Sequence, residues 1–459
     1  MRKILKKFEM TIVFLLKTVM YALLFLTFFY LFSLRDWQIL TISRTMAITV
    51  VGFIFVEVVM TSIYGAYDIG KRKSKPIIFS VSLATIITDL FTYLLLQIMN
   101  TNPNNNASFR LENIWILILV VVIQLFIIVC MTYMGNYVFF VINPPEKCVV
   151  ITDCQDNLNK LAAGINHYKK QYQITKVLDY RTEDILKKIR PADTVFMYNV
   201  PTEIRTQITD YCYRSLINVY YNPEISDVVE LNSKHVMLDD VSLVGEDFKD
   251  LTLEQKFLKR TLDILLSLFC ILLTSPIFAI CALAVKLDDG GHVFFTQKRA
   301  TRGGVVFKMI KFRTMKENVE NYSAKQDDDR ITRVGRVLRK YRLDEIPQLF
   351  NILFGKMSFV GPRPEMLSNV YSYTKELPEF RYRLRVKAGL TGYAQINGKY
   401  NTSPKDKLIL DLMYIESYSV WKDLQLLFQT AIVLLKSEDS TEGFKELGDC
   451  GIKGDFKDE

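Results

Sequence analysis

Residues 258–291 read LKRTLDILLSLFCILLTSPIFAICALAVKLDDGG. From Leu262 to Val285 the run is apolar, and it reaches the ~20 residues a helix needs to cross the hydrocarbon core. Ser275-Pro276 interrupts it near the middle, where proline removes a backbone donor and crowds the preceding turn. Both flanks are basic, with Lys259 and Arg260 before the run and Lys286 after it. A full crossing would place the Lys- and Arg-rich remainder of the chain outside the cell, against the positive-inside rule. The expected form is therefore a re-entrant helix over residues 260–286, broken at Ser275 and Pro276, that enters and leaves on one side. The carbonyls freed at depth need cover from protein or from the Ser275 hydroxyl. A kinked fifth span is the alternative.

Upstream lie further apolar runs at residues 11–33, 46–66, 77–99 and 114–141, each long enough to span. The first is too long for a cleavable signal, and three more follow it. Lys17 lies inside it, near enough to an end to snorkel. The N-terminus carries Arg2, Lys3, Lys6 and Lys7, and the second loop carries Lys71, Arg72, Lys73 and Lys75. The first loop has only Arg35 and Arg44, and the third, NTNPNNNASF, is almost uncharged until Arg110. This asymmetry puts both ends of a four-helix transmembrane bundle, residues 1–145, in the cytoplasm, with all that follows Pro144 on the same side. Asp89, with Glu57 in the second span, is the bundle's main buried acid. Transporters show more intramembrane charge, so an anchor or a lid over a lipid site is the reading preferred.

With 459 residues, 50% of them hydrophobic, the chain is too long for one domain and too apolar for a purely soluble protein. Its seven cysteines are scattered without a CxxC pair, which points to reduced thiols. Its three histidines are far apart, which disfavours a His-based metal site or a Ser-His-Asp triad. The net charge of +9 suggests anionic partners. Residues 146–245 alternate strand-like and helix-like stretches, from KCVVIT and NLNKLAAGINHYKKQ to INVYYN. That alternation predicts a Rossmann-like parallel-sheet domain in the cytoplasm. Its first turn reads TDCQDN and lacks the glycines a pyrophosphate needs, so the expected role is structural or regulatory.

Past residue 290 the chain is dense in cations, from Lys298, Arg299 and Arg302 to Arg381, Arg383, Arg385 and Lys387. Many can line an anionic membrane surface. Arg363 stands between two prolines in VGPRPE, where a stiff backbone suits bidentate phosphate binding. No recognition-helix pattern appears, so nucleic acid is not expected as a partner. In YRLDEIPQLFN, from Tyr341, Asp344 and Glu345 stand side by side after a run, Arg330–Lys340, with five basic residues and no acid. Asp344 is either a helix cap or half of a carboxylate pair that works on an anion held by the basic run.

These stretches resemble one family in order. KRTLDILLS…SP, FFTQKRATRGGVVFKMIKFRTM, DDDRITRVGRVLRKYRLDEIPQLFNILFGKMSFVGPRPE and VKAGLTGYAQINGKY…DLMYIESYSVWKDLQLL are similar to the bacterial polyprenyl-phosphate glycosyl-1-phosphate transferases, over residues 256–436. The upstream bundle and sheet resemble the long form of that family. The resemblance implies a monotopic catalytic domain over 256–440 and a polar tail over 441–459, in a multi-pass protein of the bacterial cytoplasmic membrane with α plus α/β architecture. It implies transfer of a sugar 1-phosphate from a UDP-sugar, a hexose by analogy, to undecaprenyl phosphate with release of UMP. Asp344 is then the nucleophile and Glu345 a Mg²⁺ ligand. Phosphate contacts fall to Lys311, Arg313, Arg330, Arg363 and Arg385. Thr391, Gln395 and Asn397 are expected near uridine or sugar, with Gly389, Gly392 and Gly398 allowing backbone approach to a ligand. Asp411 and Asp423 read as surface acids until the family raises their weight. The implied partners are membrane lipid, a second copy as a homodimer, and polysaccharide assembly proteins. Asp328-Asp329-Arg330 departs from the family's Asp-Pro-Arg but keeps Asp328 and Arg330. Two rivals stand beside this reading. One is a glycosyltransferase holding a metal-diphosphate on Asp327-Asp328-Asp329 and releasing UDP; the other is a non-enzymatic membrane regulator sensing nucleotide.

Overall fold

The structure is a computed structural model and describes residues 2–99, 111–231, 233–246, 250–317, 328–398, 403–435 and 452. The third loop, Asp327 and all of the tail but Ile452 lie outside the described residues. Among the described residues, five helices are long and apolar enough to cross a membrane, which marks a membrane protein.

The chain divides into two compact units, with a boundary at Asn222/Pro223. In the first, α1 (Glu9–Ser33), α2 (Arg44–Tyr64), α3 (Ser74–Met99) and α4 (Ile114–Ile142) pack side by side. Ser43 caps α2 by accepting a bond from Met46 N, as a serine ahead of an apolar run should. Gly52 lets α2 approach α3, since a Cβ there would lie 2.5 Å from Leu95 Cδ1. Polar side chains tie the helices across: Gln124 Nε2 donates to Leu24 O on α1 and to Asp89 Oδ1 on α3. Asn136 Nδ2 donates to Ser74 Oγ.

The same unit carries a parallel sheet, β1 (Glu146–Thr152), β2 (Tyr172–Asp179), β3 (Thr194–Met197) and β4 (Asn218–Tyr221), in the order β2-β1-β3-β4. Val149, Val150 and Ile151 are buried, as a central strand covered on both faces requires. Helices α5 (Gln155–Asn166), α6 (Ile185–Ile189) and α7 (Thr202–Ser215) make the crossovers. Where the strand order reverses, Asp153 accepts bonds from Asn157 and Asn199, both at 2.6 Å. These side chains occupy the place where a dinucleotide would need glycine.

The segment from Pro223 to Gly245, grouped with the sheet on sequence, belongs to the second unit. Helix α8 (Ile225–Glu230) buries Val228 in that unit's core, and Glu224 pairs with Lys405 at 2.9 Å. The hairpin β5 (Lys234–Leu238)–β6 (Val241–Gly245) follows.

Next comes α9 (Leu253–Asp289), a single helix of 37 residues. A capping box starts it, Thr252 with Gln255, and Gly290 in the left-handed region ends it. The expected break at Ser275-Pro276 is not a break in the helix: regular structure runs through Pro276. Proline leaves the Leu272 carbonyl without its helical donor, and the Ser275 hydroxyl donates to that carbonyl at 2.8 Å. One face of α9 packs on its own unit through Leu266, Cys270, Ile271, Phe278, Cys281 and Val285. The other, with Leu265, Phe269, Leu272, Leu273, Ile280 and Leu287, is exposed. At one end Lys259 donates to Asp423 at 2.6 Å and Asp263 accepts from Phe359 N at 2.9 Å. At the other, Asp289 pairs with Arg313 and Asp288 accepts from Val334 N.

Candidate active site

Two strands, β7 (Phe294–Ala300) and β8 (Val306–Phe312), form an antiparallel hairpin beside α9. Helix α10 (Arg333–Lys340) carries the basic run, and a turn of 3₁₀ helix, Leu343–Glu345, carries the two carboxylates. Pro347 then opens α11 (Gln348–Leu353). Asn351 on α11 acts as a surrogate strand: its Oδ1 accepts from Ile310 N at 3.0 Å and its Nδ2 donates to Lys308 O at 2.9 Å. This docks the carboxylate turn against β8 and next to Lys311. Arg342 enters the turn at φ 54°, a left-handed conformation uncommon for a non-glycine residue. Such local strain clusters at functional sites.

The adjacent acids differ in their surroundings. Glu345 Oε1 accepts from Lys311 Nζ at 2.7 Å and from Arg363 at 3.1 Å. Asp344 accepts no hydrogen bond among the described residues, and Lys311 Nζ stands 3.8 Å from its Oδ2. Its side chain is 14% exposed. Asp344 does not cap α11, whose N-cap is Pro347 with no side-chain bond. Burial raises the Asp344 carboxyl above its ordinary range; the Lys311 charge opposes this and the Glu345 charge adds to it. Burial also acts to raise Glu345, but the charges and hydrogen bonds of Lys311 and Arg363 outweigh it and hold that carboxyl low. The pair is thus one locked carboxylate and one unclamped carboxyl beside a lysine.

Arg363 follows β9 (Ser358–Val360) in the Pro-Arg-Pro turn, and its guanidinium is half exposed. Arg383 donates to the Arg363 carbonyl at 2.8 Å and pairs with buried Asp411 at 2.8 Å. Burial pushes Asp411 up to about 6, against the Arg383 charge. Asp411 and Asp423 are therefore interior struts, not surface acids. The charges of Arg299 on β7 and Arg339 on α10 also act on the carboxylate pair. Sequence reasoning counted both in the cationic run without singling them out, because nothing in their spacing distinguishes them from lysines and arginines on the surface.

Other expected contacts lie elsewhere or are already engaged. Arg313 gives both ends of its fork to Asp289 and its Nε to His292 O, which makes it a strut at the end of α9 and not a phosphate clamp. Arg330 bonds Asp328 through Nε at 2.7 Å and through Nη2. Arg385 pairs with Glu416. Thr391, on β10 (Gly389–Thr391), is buried against Thr430 at 2.7 Å. On α12 (Tyr393–Asn397), Gln395 donates to Leu390 O and Asn397 to Tyr393 O.

The glycines serve backbone packing where ligand approach was expected. β10 pairs in parallel with β9, and a Cβ on Gly389 would fall 2.2 Å from Gly361 N. A Cβ on Gly392 would fall 2.2 Å from Gly361 O. This interlock holds the turn that presents Arg363. Gly389→Ala is expected to cost about 1–3 kcal/mol through backbone displacement and to lower activity, read together as a fall in melting temperature and in turnover.

Relatives place this arrangement. An N-acetylgalactosaminephosphotransferase of Aeromonas hydrophila, acting with UDP-N-acetylgalactosamine and undecaprenyl phosphate by its name, is 41% identical over 185 residues, 39% of this chain and 44% of that protein. Named UDP-glucose:undecaprenyl-phosphate glucose-1-phosphate transferases, that of Caulobacter vibrioides is 36% identical over 190 residues (40% of this chain, 71% of that protein) and that of Escherichia coli 40% over 217 residues (45% and 47%). The chain thus spans about half the length of the Aeromonas and Escherichia relatives. The family profile described as bacterial sugar transferase matches residues 254–437, which hold α9, the carboxylate turn, Arg363 and the Arg383–Asp411 strut. With that match, and with the Caulobacter protein covered over 71% of its length, the chain belongs to the bacterial sugar transferase family.

Proposed function

We propose that this protein transfers a sugar 1-phosphate from a UDP-sugar to undecaprenyl phosphate, releasing UMP, as the first membrane step of an extracellular or capsular polysaccharide. The observation that carries the reading is Asp344: a carboxyl in a basic, half-buried turn that accepts no hydrogen bond among the described residues, next to a second carboxylate already locked by Lys311 and Arg363. Asp344 attacks the phosphorus that bears the sugar. The bond from that phosphorus to the bridging oxygen breaks, and its electron pair leaves with UMP. A phosphate oxygen of undecaprenyl phosphate then attacks the same phosphorus and displaces Asp344. One phosphoanhydride replaces another, so no outside energy source is needed. Lys311 and Arg363, both beside the carboxylate pair, would neutralise the charge that gathers on the phosphoryl oxygens.

The donor set suits Mg²⁺ in a limited way. Among the described residues no cluster of three acidic, His or Cys ligands forms. Mg²⁺ commonly binds one or two carboxylates, with waters and substrate phosphates completing its shell. Glu345 would hold the ion together with the diphosphate, and the bound ion would neutralise the leaving group.

The relatives' names divide between glucose and N-acetylgalactosamine. A hexose donor is the choice put forward here. Membranes carrying the chain, given undecaprenyl phosphate and a panel of UDP-sugars, should release UMP with one donor. Release of UDP instead would favour the glycosyltransferase reading, whose Asp328 is engaged by Arg330.

The catalytic unit is proposed to lie on the cytoplasmic face of the bacterial inner membrane, anchored by the helices α1–α4, with α9 re-entrant. Support comes from the two ends of α9, which bond the same unit on either side of Pro276. A full crossing would put those partners, which belong to one compact unit, on opposite sides of the ~30 Å bilayer core. Leu258→Cys and Leu287→Cys, each in a Cys-free background, should both resist an impermeant thiol reagent applied to whole cells. Labelling of the second from outside would establish a fifth span.

A further inference from the structure

On β7 successive side chains face opposite ways. Lys298 is exposed, whereas Gln297 and Arg299, on the other face, are partly buried. The backbone of Arg299 is pinned on both sides. It stands opposite Phe307 of β8, and on its other edge it forms an antiparallel bridge with Met366, three residues beyond Arg363. Residues paired in this way have Cα atoms about 5 Å apart. Arg299 is thus built against the turn that presents Arg363. Its Nη2 donates to Gln297 Oε1 at 2.6 Å, which holds the guanidinium in place.

Other arginines of this unit already meet a carboxylate. Arg313, Arg330, Arg363, Arg383 and Arg385 pair with Asp289, Asp328, Glu345, Asp411 and Glu416. Arg299 forms no ion pair among the described residues. Its Nε is buried without a hydrogen-bond partner, and its Nη1, also without one, is the accessible end. The charges that act on it are those of Arg363, Glu365 and Glu345. Both acids are engaged elsewhere, Glu345 by Lys311 and Arg363, and Glu365 by Lys407 at 3.5 Å and Arg383 at 3.9 Å. Burial and the Arg363 charge pull the Arg299 guanidinium down to about 10 against those acids, so it stays charged at neutral pH. A cation with idle donors beside a second guanidinium is an arrangement that an anion completes. The planar fork of arginine suits a phosphate.

Glu345 acts on Arg299 and Asp344 does not, so the guanidinium lies farther from the nucleophile than from its neighbour. In an in-line displacement the attacking and leaving oxygens stand on opposite sides of the phosphorus. Lys311, 3.8 Å from Asp344, serves the attacked end. Arg299 is left for the far end. We infer that Arg299 is a donor-binding residue that holds the phosphate of the departing UMP, with Gln297 keeping its fork in place. This rests on the reaction proposed above. When the bond from the sugar-bearing phosphorus to the bridging oxygen breaks, the electron pair moves onto the UMP phosphate. That phosphate leaves largely as a dianion at neutral pH and needs no proton. Arg299 meets the new charge with N–H donors where a general acid would otherwise be required. Once UMP has gone, Arg299 has no part in the attack by the lipid phosphate.

The test uses the full chain in nanodiscs with two variants, Arg299→Gln and Arg299→Lys. UMP affinity is read by calorimetry, which needs no turnover. It should fall by roughly tenfold or more in Arg299→Gln, and by less in Arg299→Lys, which keeps the charge without the fork. UMP release from the UDP-sugar without lipid should slow by about 10²–10³-fold in Arg299→Gln. The second half-reaction is read separately: protein loaded with sugar phosphate by long incubation, then washed free of UMP, is given undecaprenyl phosphate. Both variants should discharge within about twofold of the wild-type rate. Unchanged UMP affinity in Arg299→Gln overturns the inference. So does an equal slowing of both half-reactions, which a purely structural role would give. If Arg299→Gln does not fold, Arg299→Lys is held to the same criteria. A wild type that binds UMP but releases none from any UDP-sugar overturns the proposed reaction instead, while the UMP affinities of the variants still decide the role of Arg299.

Discussion

Asp344→Asn is expected to insert and fold normally and to lose turnover by about four orders of magnitude or more. Asp344 accepts no hydrogen bond among the described residues and caps no helix, so an amide of the same shape removes little that the fold uses. It does remove the attacking charge, and a neutral amide is a very poor nucleophile toward phosphorus. The wild-type protein with Mg²⁺ and its UDP-sugar, but no lipid acceptor, should release at most about one equivalent of UMP per chain. The sugar phosphate should stay on the protein as an acyl phosphate labile to hydroxylamine. The variant should show no such burst and no label. Near-normal turnover by Asp344→Asn would remove this residue from the chemistry and leave its place in the basic turn unexplained.

Arg383→Met is expected to destabilise the catalytic unit by about 3–5 kcal/mol, because it strands a buried carboxylate. The side chains of Arg383 and Asp411 are 4% and 1% exposed. The loss should depend on pH. Burial already raises Asp411 to about 6 in the folded protein, whereas an unfolded aspartate titrates near 3.9. A carboxyl raised on folding contributes stability that is full below the unfolded value and is lost as pH rises through the folded one. Without the Arg383 charge the folded value climbs further. The variant should then recover part of its melting temperature between pH 8 and pH 5, more than the wild type does. Its turnover should fall even where it is folded, because Arg383 holds the carbonyl of Arg363. A variant equally unstable at both pH values would show that Asp411 is ionised in the folded protein over that range, its carboxyl not raised further by loss of the Arg383 charge.

The order of the chain's parts is written in local patterns. Apolar length sets the helices α1–α4 and α9, because a helix buries its own backbone groups and needs only about 20 apolar side chains to span. Alternation of strand and helix sets the parallel sheet, and the capping box at Thr252 and Gly290 mark the ends of α9. The carboxylate pair stood out as adjacent acids at the end of a basic run and before a proline, but those residues alone left a helix cap open beside a site.

What the sequence leaves undecided depends on partners distant in the chain. Arg313 and Arg363 read alike as cations near a phosphate, yet one is held by Asp289 and the other reaches Glu345. Asp411 and Asp423 look like surface acids on helices until Arg383 and Lys259 close on them in the interior. Pro276 predicts a break, but Ser275 supplies the donor that its ring removes, and the helix continues. Gly389 and Gly392 look like ligand turns, and tertiary packing sets them against Gly361 instead. Hydrophobic periodicity is a property of neighbours in sequence and can be read without a fold. The pairing of a charge is a property of neighbours in space, and only the closed tertiary structure selects which of many cations each carboxylate meets.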